Sequence, residues 1–540
     1  VIDENLFDFI FESQPKFNPV LAKGIATTEL RAPELLIDRT WRCAARLFPP
    51  GLTYEGYEIC TPQEELFELT RRSGKQAYEL AHSDVYLVKF NFHLDGKFLI
   101  SRGQYMPAPD EANAITLRGS KFTLSPVLAD RCLSVSKDTL FIPLLRDRLS
   151  FLQLVHTLLV DGQPKQVFVE YSRIHHHKQP PEVKRYPGNV NASTTLVHYL
   201  LCMYGMSGLF ALAGAVPILI PEGADDTPYR ADHVIVASNG WSDLGNPSRL
   251  RPRGVRNRDW QPPKFRLAIR KEEWSTTVES FAAGFFYVCD VFSDRILECD
   301  LEDTHLWRVL LGIAIFGNSV SEGKLYEDVV AHLSSLEEYI DEIAREDLSA
   351  DRIMVSSAFE LFVYVIENMT SMVVSTDVTN LEGKRLVTWK YVLFGLITAI
   401  FKFAYSLRSK NRKLSERDLI TRFNRGITPE LIMRINSITG IVSSISSPGD
   451  SMVLKYTSTV IPQSSASTSN RGKSAELSLD DPTLRPNATA LSVGSYLNLP
   501  KSLPSPLSKA NMYGLLGRNG EILIRESDRE FLENVDADLI

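Results

Sequence analysis

Leu325, Val329, Leu333, Leu336, Ile340 and Ile343 recur at spacings of four and three, with Glu327, Asp328, Glu337, Glu338 and Asp341 between them. That period puts the apolar side chains on one stripe of a helix. From Thr304 onward the pattern stays helical, with further helices predicted over 353–374, 386–407 and 415–423 and from Thr428 on. Ser415 and Asp418 form a capping pair at the start of one of them.

Between Val85 and Arg173 the period is two. Tyr86 to Phe92 and Lys97 to Ser101 flank Asp95-Gly96, and Phe151 to Val160 and Lys165 to Arg173 flank Asp161-Gly162. Asp-Gly between alternating strands predicts a tight hairpin, because both residues tolerate positive φ. Further hairpins are predicted at Gly119-Ser120 and between 133–136 and 140–145.

The predicted fold class is α+β: an antiparallel β-rich domain followed by a helical domain and a tethered C-terminal β-hairpin. The expected organisation is a small helical entry domain over 1–83, the β-rich domain over 84–240, and an Arg-rich loop and connecting segment over 241–303. The helical domain follows over 304–442, then a Ser/Pro-rich tether over 443–511 and a hairpin with a tail over 512–540. The hairpin is predicted from Asn519-Gly520. A lone hairpin is marginally stable, so it is expected to dock on the body or on a partner.

Tyr199 to Pro221 carries no charge and is long enough to suggest a membrane span. Gly205, Gly208, Gly214 and Pro217 instead divide it into a helix, a turn and a strand over 216–220, which predicts a core segment.

With 540 residues, 44% hydrophobic and 23% charged, the chain has an ordinary globular composition and room for several cores. Cys43, Cys60, Cys132, Cys202, Cys289 and Cys299 form no C-x-x-C pair, which argues against a disulfide framework or thiolate zinc site. Val1 to Phe11 carries acids where a secretory leader needs a basic start. The sequons at Asn191, Asn368 and Asn487 are then read as chance matches.

Against a net charge of −7, one segment is strongly basic: Arg249, Arg251, Arg253, Arg256, Arg258, Lys264, Arg266, Arg270 and Lys271 surround a single acid, Asp259. With Trp260 and Phe265 among them, these guanidiniums suit phosphate contact and base stacking. The competing explanation is a solvated loop or one paired with acidic neighbours. A second run, Arg408, Lys410, Arg412, Lys413, Arg417, Arg422 and Arg425, sits between two helices. The helix macrodipole accounts for its first few charges only.

His175, His176 and His177 end a predicted strand, which puts two of them on one face, short of the three protein ligands of a catalytic zinc site. Acids cluster at Glu222, Asp225 and Asp226, and at Asp290, Asp294, Glu298, Asp300, Glu302 and Asp303. They read as solvated turns, with magnesium-binding carboxylates as the sharper alternative. The chain lacks G-x-x-x-x-G-K followed by Ser or Thr, G-x-G-x-x-G and G-x-S-x-G. No metal or cofactor is expected.

Two passages, ITLRGSKFTLSPVLAD over 115–130 and GSYLNLPKSLPSPLSKANMYGLLGRNG over 494–520, resemble segments of large, poorly characterised proteins of tailed bacteriophages. The resemblance implies a viral product in the host cytoplasm or the virion. The main expectation is a nonenzymatic subunit of a phage assembly, virion or genome-handling, that contacts nucleic acid or protein neighbours through its Arg-rich loop. The alternative is an enzyme or accessory factor of phage replication or transcription that binds a nucleic-acid template with magnesium. Expected partners are other subunits of a viral assembly, with DNA or RNA as further candidates and no membrane.

Overall fold

The computed structural model describes residues 33–71, 84–109, 114–117, 119–124, 127–129, 134–136, 139–143, 148–172, 194–239, 265–293, 295–316, 321–337, 340, 342–375, 380–408, 415–427, 442–444, 460–462, 489, 507–509, 514–517 and 520–526. The chain is α+β, with antiparallel sheets in its first half and helices following. It divides into two compact units, one formed by residues 1–131 with 377–540 and the other by 132–376.

The first unit begins with α1 (Pro33–Ala45), β1 (Leu52–Ile59), β2 (Val85–Leu94) and β3 (Lys97–Pro107). The helix expected to dominate residues 1–83 gives way to a strand at β1, which pairs with β2 from Leu52↔Leu94 to Ile59↔Val88. The aromatic and β-branched Thr53, Tyr54, Tyr57 and Ile59 favour that pleated surface over a helix. Helix Pro62–Arg71 opens on a reciprocal cap: the Thr61 amide donates to Glu64 Oε2 at 2.8 Å and the Glu64 amide to Thr61 Oγ1 at 3.4 Å. The β2–β3 turn lies at Asp95 and Gly96, with φ of 50° and 75°. Strand β4 (Val127–Ala129) closes this part of the chain.

The second unit is built on β5 (Arg148–Val160), β6 (Gln163–Ser172), α2 (Leu196–Ala211), β7 (Ile218–Ile220), β8 (His233–Ser238), β9 (Arg266–Arg270) and α3 (Thr276–Val291). Then come α4 (Thr304–Phe316), α5 (Glu322–Glu337) and α6 (Ala358–Ser375). Its main sheet runs Thr194–Thr195, β6, β5, β8, β9, β7, with every pairing antiparallel. The β5–β6 turn is the expected one, Asp161-Gly162, at φ of 50° and 79°.

Helices α2 to α6 share one apolar core with this sheet, through Phe151, Leu158, Leu200, Phe210, Phe281, Phe285, Trp307, Leu333 and Phe362. Two glycines let the layers close. Gly284 on α3 faces Val197 on α2 so tightly that a Cβ there would overlap the valine methyl. Gly205 stands at φ 68°, ψ −173°, and kinks α2. Glu302 answers the amide freed there, accepting from Ser207 N at 3.0 Å and Ser207 Oγ at 2.5 Å. The apolar stretch 199–221 therefore forms a helix, a turn and β7. Among the described residues no helix is long and apolar enough to cross a membrane.

The chain then returns to the first unit with β10 (Arg385–Val387), which pairs with β4, followed by α7 (Phe394–Arg408) and α8 (Glu416–Gly426). Buried Phe92, Phe403 and Phe423 converge there, with ring centroids 4.5 Å apart for Phe92–Phe423 and 4.8 Å for Phe403–Phe423. Trp41 meets Phe92 edge-on at 4.9 Å. Ser415 caps α8 as expected, its Oγ accepting from the Asp418 amide at 3.3 Å. Strands β11 (Leu515–Leu516) and β12 (Ile522–Leu523) form the expected C-terminal hairpin, docked on the body.

Candidate nucleic-acid interface

The Arg-rich segment joins two neighbouring strands. β8 and β9 pair from His233↔Arg270 to Val236↔Leu267, so residues 239–264 connect their adjacent ends as one long insertion in the sheet. A connecting segment between domains was expected across 241–303, and the part from Arg266 to Arg270 is instead an inner strand, flanked by β8 and β7. Its Leu267, Ala268 and Ile269 are all buried. The prolines at 247, 252, 262 and 263 obscured this short strand, since they interrupt the period immediately before it.

Both feet of the insertion are held. At the β8 foot, Ser238 Oγ donates to Asp290 Oδ1 at 2.6 Å, and His156 Nε2 lies 3.7 Å from Asp290 Oδ2. Asp290 is wholly buried, and burial pushes its carboxyl up to about 7, opposed by the Ser238 hydrogen bond. At the β9 foot, Phe265 is buried, its ring stacked on Phe286 at 5.9 Å. Arg266 donates to Asp226 Oδ2 at 2.5 Å and to the Ala224 carbonyl at 2.6 Å. Arg230 grips the same carboxylate with two bonds of 2.9 and 3.0 Å. Those bonds, with the two guanidinium charges, hold Asp226 below the ordinary carboxylate range.

The candidate phosphate ligands divide accordingly. Arg249, Arg251, Arg253, Arg256, Arg258 and Lys264 lie outside the described residues. Arg266 is engaged at the foot, and Lys271 Nζ donates to the Ala231 carbonyl at 2.7 Å, while Arg270 is exposed. In the second run, Arg408 ends α7, and Lys410, Arg412 and Lys413 lie outside the described residues. Arg417 and Arg425 stand exposed on α8, opposite buried Leu419 and Phe423, and Arg422 donates to the Ser406 carbonyl at 3.1 Å. Arg102 on β3 reaches across to Asn424 Oδ1 at 2.8 Å and to the Ile427 carbonyl.

The acids have local work. The Glu222 amide donates to Glu298 Oε1 at 3.0 Å, so the two acidic clusters meet. Asp225 accepts from the Thr227 amide, Asp303 accepts from the His305 amide at the start of α4, and Glu302 caps the α2 kink. Among the described residues no three His, Cys, Asp or Glu side chains gather as a metal site. Asp294 and the histidines at 175–177 lie outside the described residues. Asp290, expected among solvated turns, is instead wholly buried. Its signal was a lone charge at the end of the apolar run FAAGFFYVCDV over 281–291.

A family model described as "Non-virion RNA polymerase subunit" matches residues 2–486. The chain belongs to that family. No curated protein matches it. Membership overturns the main expectation of a virion or genome-handling assembly subunit, because the family is transcription machinery and its description sets the particle aside. The alternative, a factor of viral transcription, stands in its place. As a member of a polymerase-subunit family the chain has other subunits as partners.

Proposed function

We propose that this polymerase subunit is the accessory factor that holds the nucleic-acid template during phage transcription in the host cytoplasm. The observation that carries the reading is the position of the basic segment. Its two ends are neighbouring strands of a well-packed sheet, each tied down by a buried or ion-paired side chain. A basic chain loses conformational entropy on binding, and anchoring both ends reduces that cost. Arg249, Arg251, Arg253, Arg256, Arg258 and Lys264 serve as the phosphate ligands, Trp260 as a base-stacking surface, and Arg266 as the foot that orients them. The exposed Arg417 and Arg425 of α8, with Arg408, Lys410, Arg412 and Lys413 before them, add a second phosphate contact.

The test is binding of labelled single-stranded and duplex DNA and RNA across a salt series, with the combined Arg251→Glu, Arg256→Glu and Lys264→Glu variant beside the wild type. Affinity that falls steeply with salt, and a slope that shrinks in the variant, are expected. Salt-insensitive binding, or a variant indistinguishable from wild type, would rule the segment out as the template contact.

A further inference from the structure

The main sheet of the second unit has an apolar strip on the side away from α3. Leu158, Val167 and Val169 belong to the core shared with the helices, and His156 meets Tyr287 of α3. Successive residues of a strand face opposite sides of its sheet. Val155, Thr157 and Leu159 of β5, with Gln166 and Phe168 of β6, therefore face the other way. Phe168 lies directly across the ladder from Val155, and the two are 43% and 46% exposed. Ala237 of β8 continues the strip beside Leu159.

The strip is bounded. Gln153, next along this side of β5, donates to Thr370 Oγ1 of α6 at 2.8 Å. Past Ala237 the same side is covered, where Ala224 and Tyr229 pack on Ile220, Ile235 and Ala268. A water-facing side of an antiparallel sheet is ordinarily polar, whereas this shelf presents a phenyl ring and aliphatic groups beside one amide and one hydroxyl. Of the residues that β5 and β6 turn to this side over 153–159 and 164–170, Glu170 is the one acid, and it is 2% exposed. Ser238, the last residue of β8, follows Ala237, and the basic segment departs from it. In a chain of net charge −7, an apolar shelf without an exposed carboxylate, beside an anchored basic segment, is matched to a polyanion that also carries apolar faces.

We propose, resting on the template-holding reading, that unpaired bases of a single strand stack on this shelf, with Phe168 as the platform. Gln166 and Thr157 supply hydrogen bonds at its margin, and the basic segment takes the phosphates. A duplex hides its base faces, so a stacking platform selects unpaired strands and tolerates any base. Val155 supports the ring from the neighbouring strand, as cross-strand aliphatic and aromatic pairs do.

The experiment titrates the full chain as wild type, Phe168→Thr and Phe168→Tyr with labelled single-stranded DNA, single-stranded RNA and duplex DNA across a salt series. Threonine keeps a strand-favouring residue at this exposed position while removing the ring, and tyrosine keeps the ring. Single-strand affinity should fall about fivefold or more in Phe168→Thr at every salt concentration, with the salt slope unchanged because no phosphate contact is lost. Phe168→Tyr should match wild type, and duplex affinity should stay the same in both variants. The single strand, DNA or RNA, that suffers the larger loss is the one the shelf holds. Photocrosslinking of bromouracil-substituted single strands to the wild type should label the peptide containing Phe168, and labelling confined to other peptides overturns the proposal. Unchanged single-strand affinity in Phe168→Thr, or an equal loss for duplex, overturns it too. If that variant binds nucleic acid normally but enters the polymerase poorly, the shelf belongs to a protein neighbour and the proposal falls. The combined Arg251, Arg256 and Lys264 variant is read in the slope and Phe168→Thr in affinity at fixed slope, so the two readings fail separately.

Discussion

The Ser238 hydroxyl, at the last position of β8, donates a 2.6 Å hydrogen bond to the fully buried carboxyl of Asp290 on α3. A polar bond in this apolar core fixes where the strand stops and the basic segment departs. Removing the hydroxyl leaves a desolvated carboxyl with one bond fewer, a change that costs about 1–3 kcal/mol.

The pH dependence of stability should carry this group's signature. Burial raises Asp290 from the ordinary 3.8 to about 7, and Glu170 on β6 from 4.5 to about 8. The folded state therefore favours the protonated carboxyls. Their stabilisation is complete below about pH 4 and is lost as pH rises through 7 and 8, with a slope of at most ~1.4 kcal/mol per pH unit for each group. Urea midpoints between pH 5 and 9 should fall with rising pH. In Asp290→Asn the slope between pH 5 and 7 should drop by about half, leaving the share of Glu170, and an unchanged profile would mean that Asp290 does not titrate there.

Arg266→Met should separate anchoring from phosphate contact. It removes the bonds to Asp226 and Ala224, at a cost of roughly 1–3 kcal/mol, while leaving the phosphate ligands of the segment in place. Thermal unfolding should shift downward, and the salt slope of nucleic-acid binding should stay at the wild-type value. A slope reduced by about one would make Arg266 itself a phosphate ligand.

Gly205→Ala should destabilise the second unit. The residue sits at φ 68°, and an added Cβ would lie 2.9 Å from Glu302 Oε2, so backbone strain of about 1–3 kcal/mol joins a steric one. Glu302→Ala should lower the melting temperature as well, by freeing the Ser207 amide. The double variant should cost less than the two single changes added together, since both act on one contact.

Gly284→Leu should be the most damaging single change of the set. Even a Cβ there meets Val197, so α2 and α3 must separate, and overpacking of this kind costs about 1–3 kcal/mol or more. Pairing it with Val197→Ala should restore part of the loss in a denaturant titration.

Much of the local structure was legible in the chain. Asp95-Gly96 and Asp161-Gly162 are hairpin turns because those residues accept positive φ, and Ser415 caps α8 because its hydroxyl satisfies an orphan amide. Leu325, Val329, Leu333 and Leu336 face the core of the second unit because a 3.6-residue period allows nothing else. The glycines of 199–221 divide that apolar stretch for the same local reason.

Only tertiary structure decided the rest. That Arg266 to Arg270 is an inner strand follows from its pairing with β8 and β7, partners distant along the chain and invisible to any local period. That Asp290 is buried, that Arg266 belongs to Asp226, and that Gly520 seats the C-terminus against Leu386 are likewise contacts between remote segments. Periodicity and turn chemistry act over a few residues and are written in the sequence directly. Burial and charge pairing depend on which segments meet, and packing alone settles that.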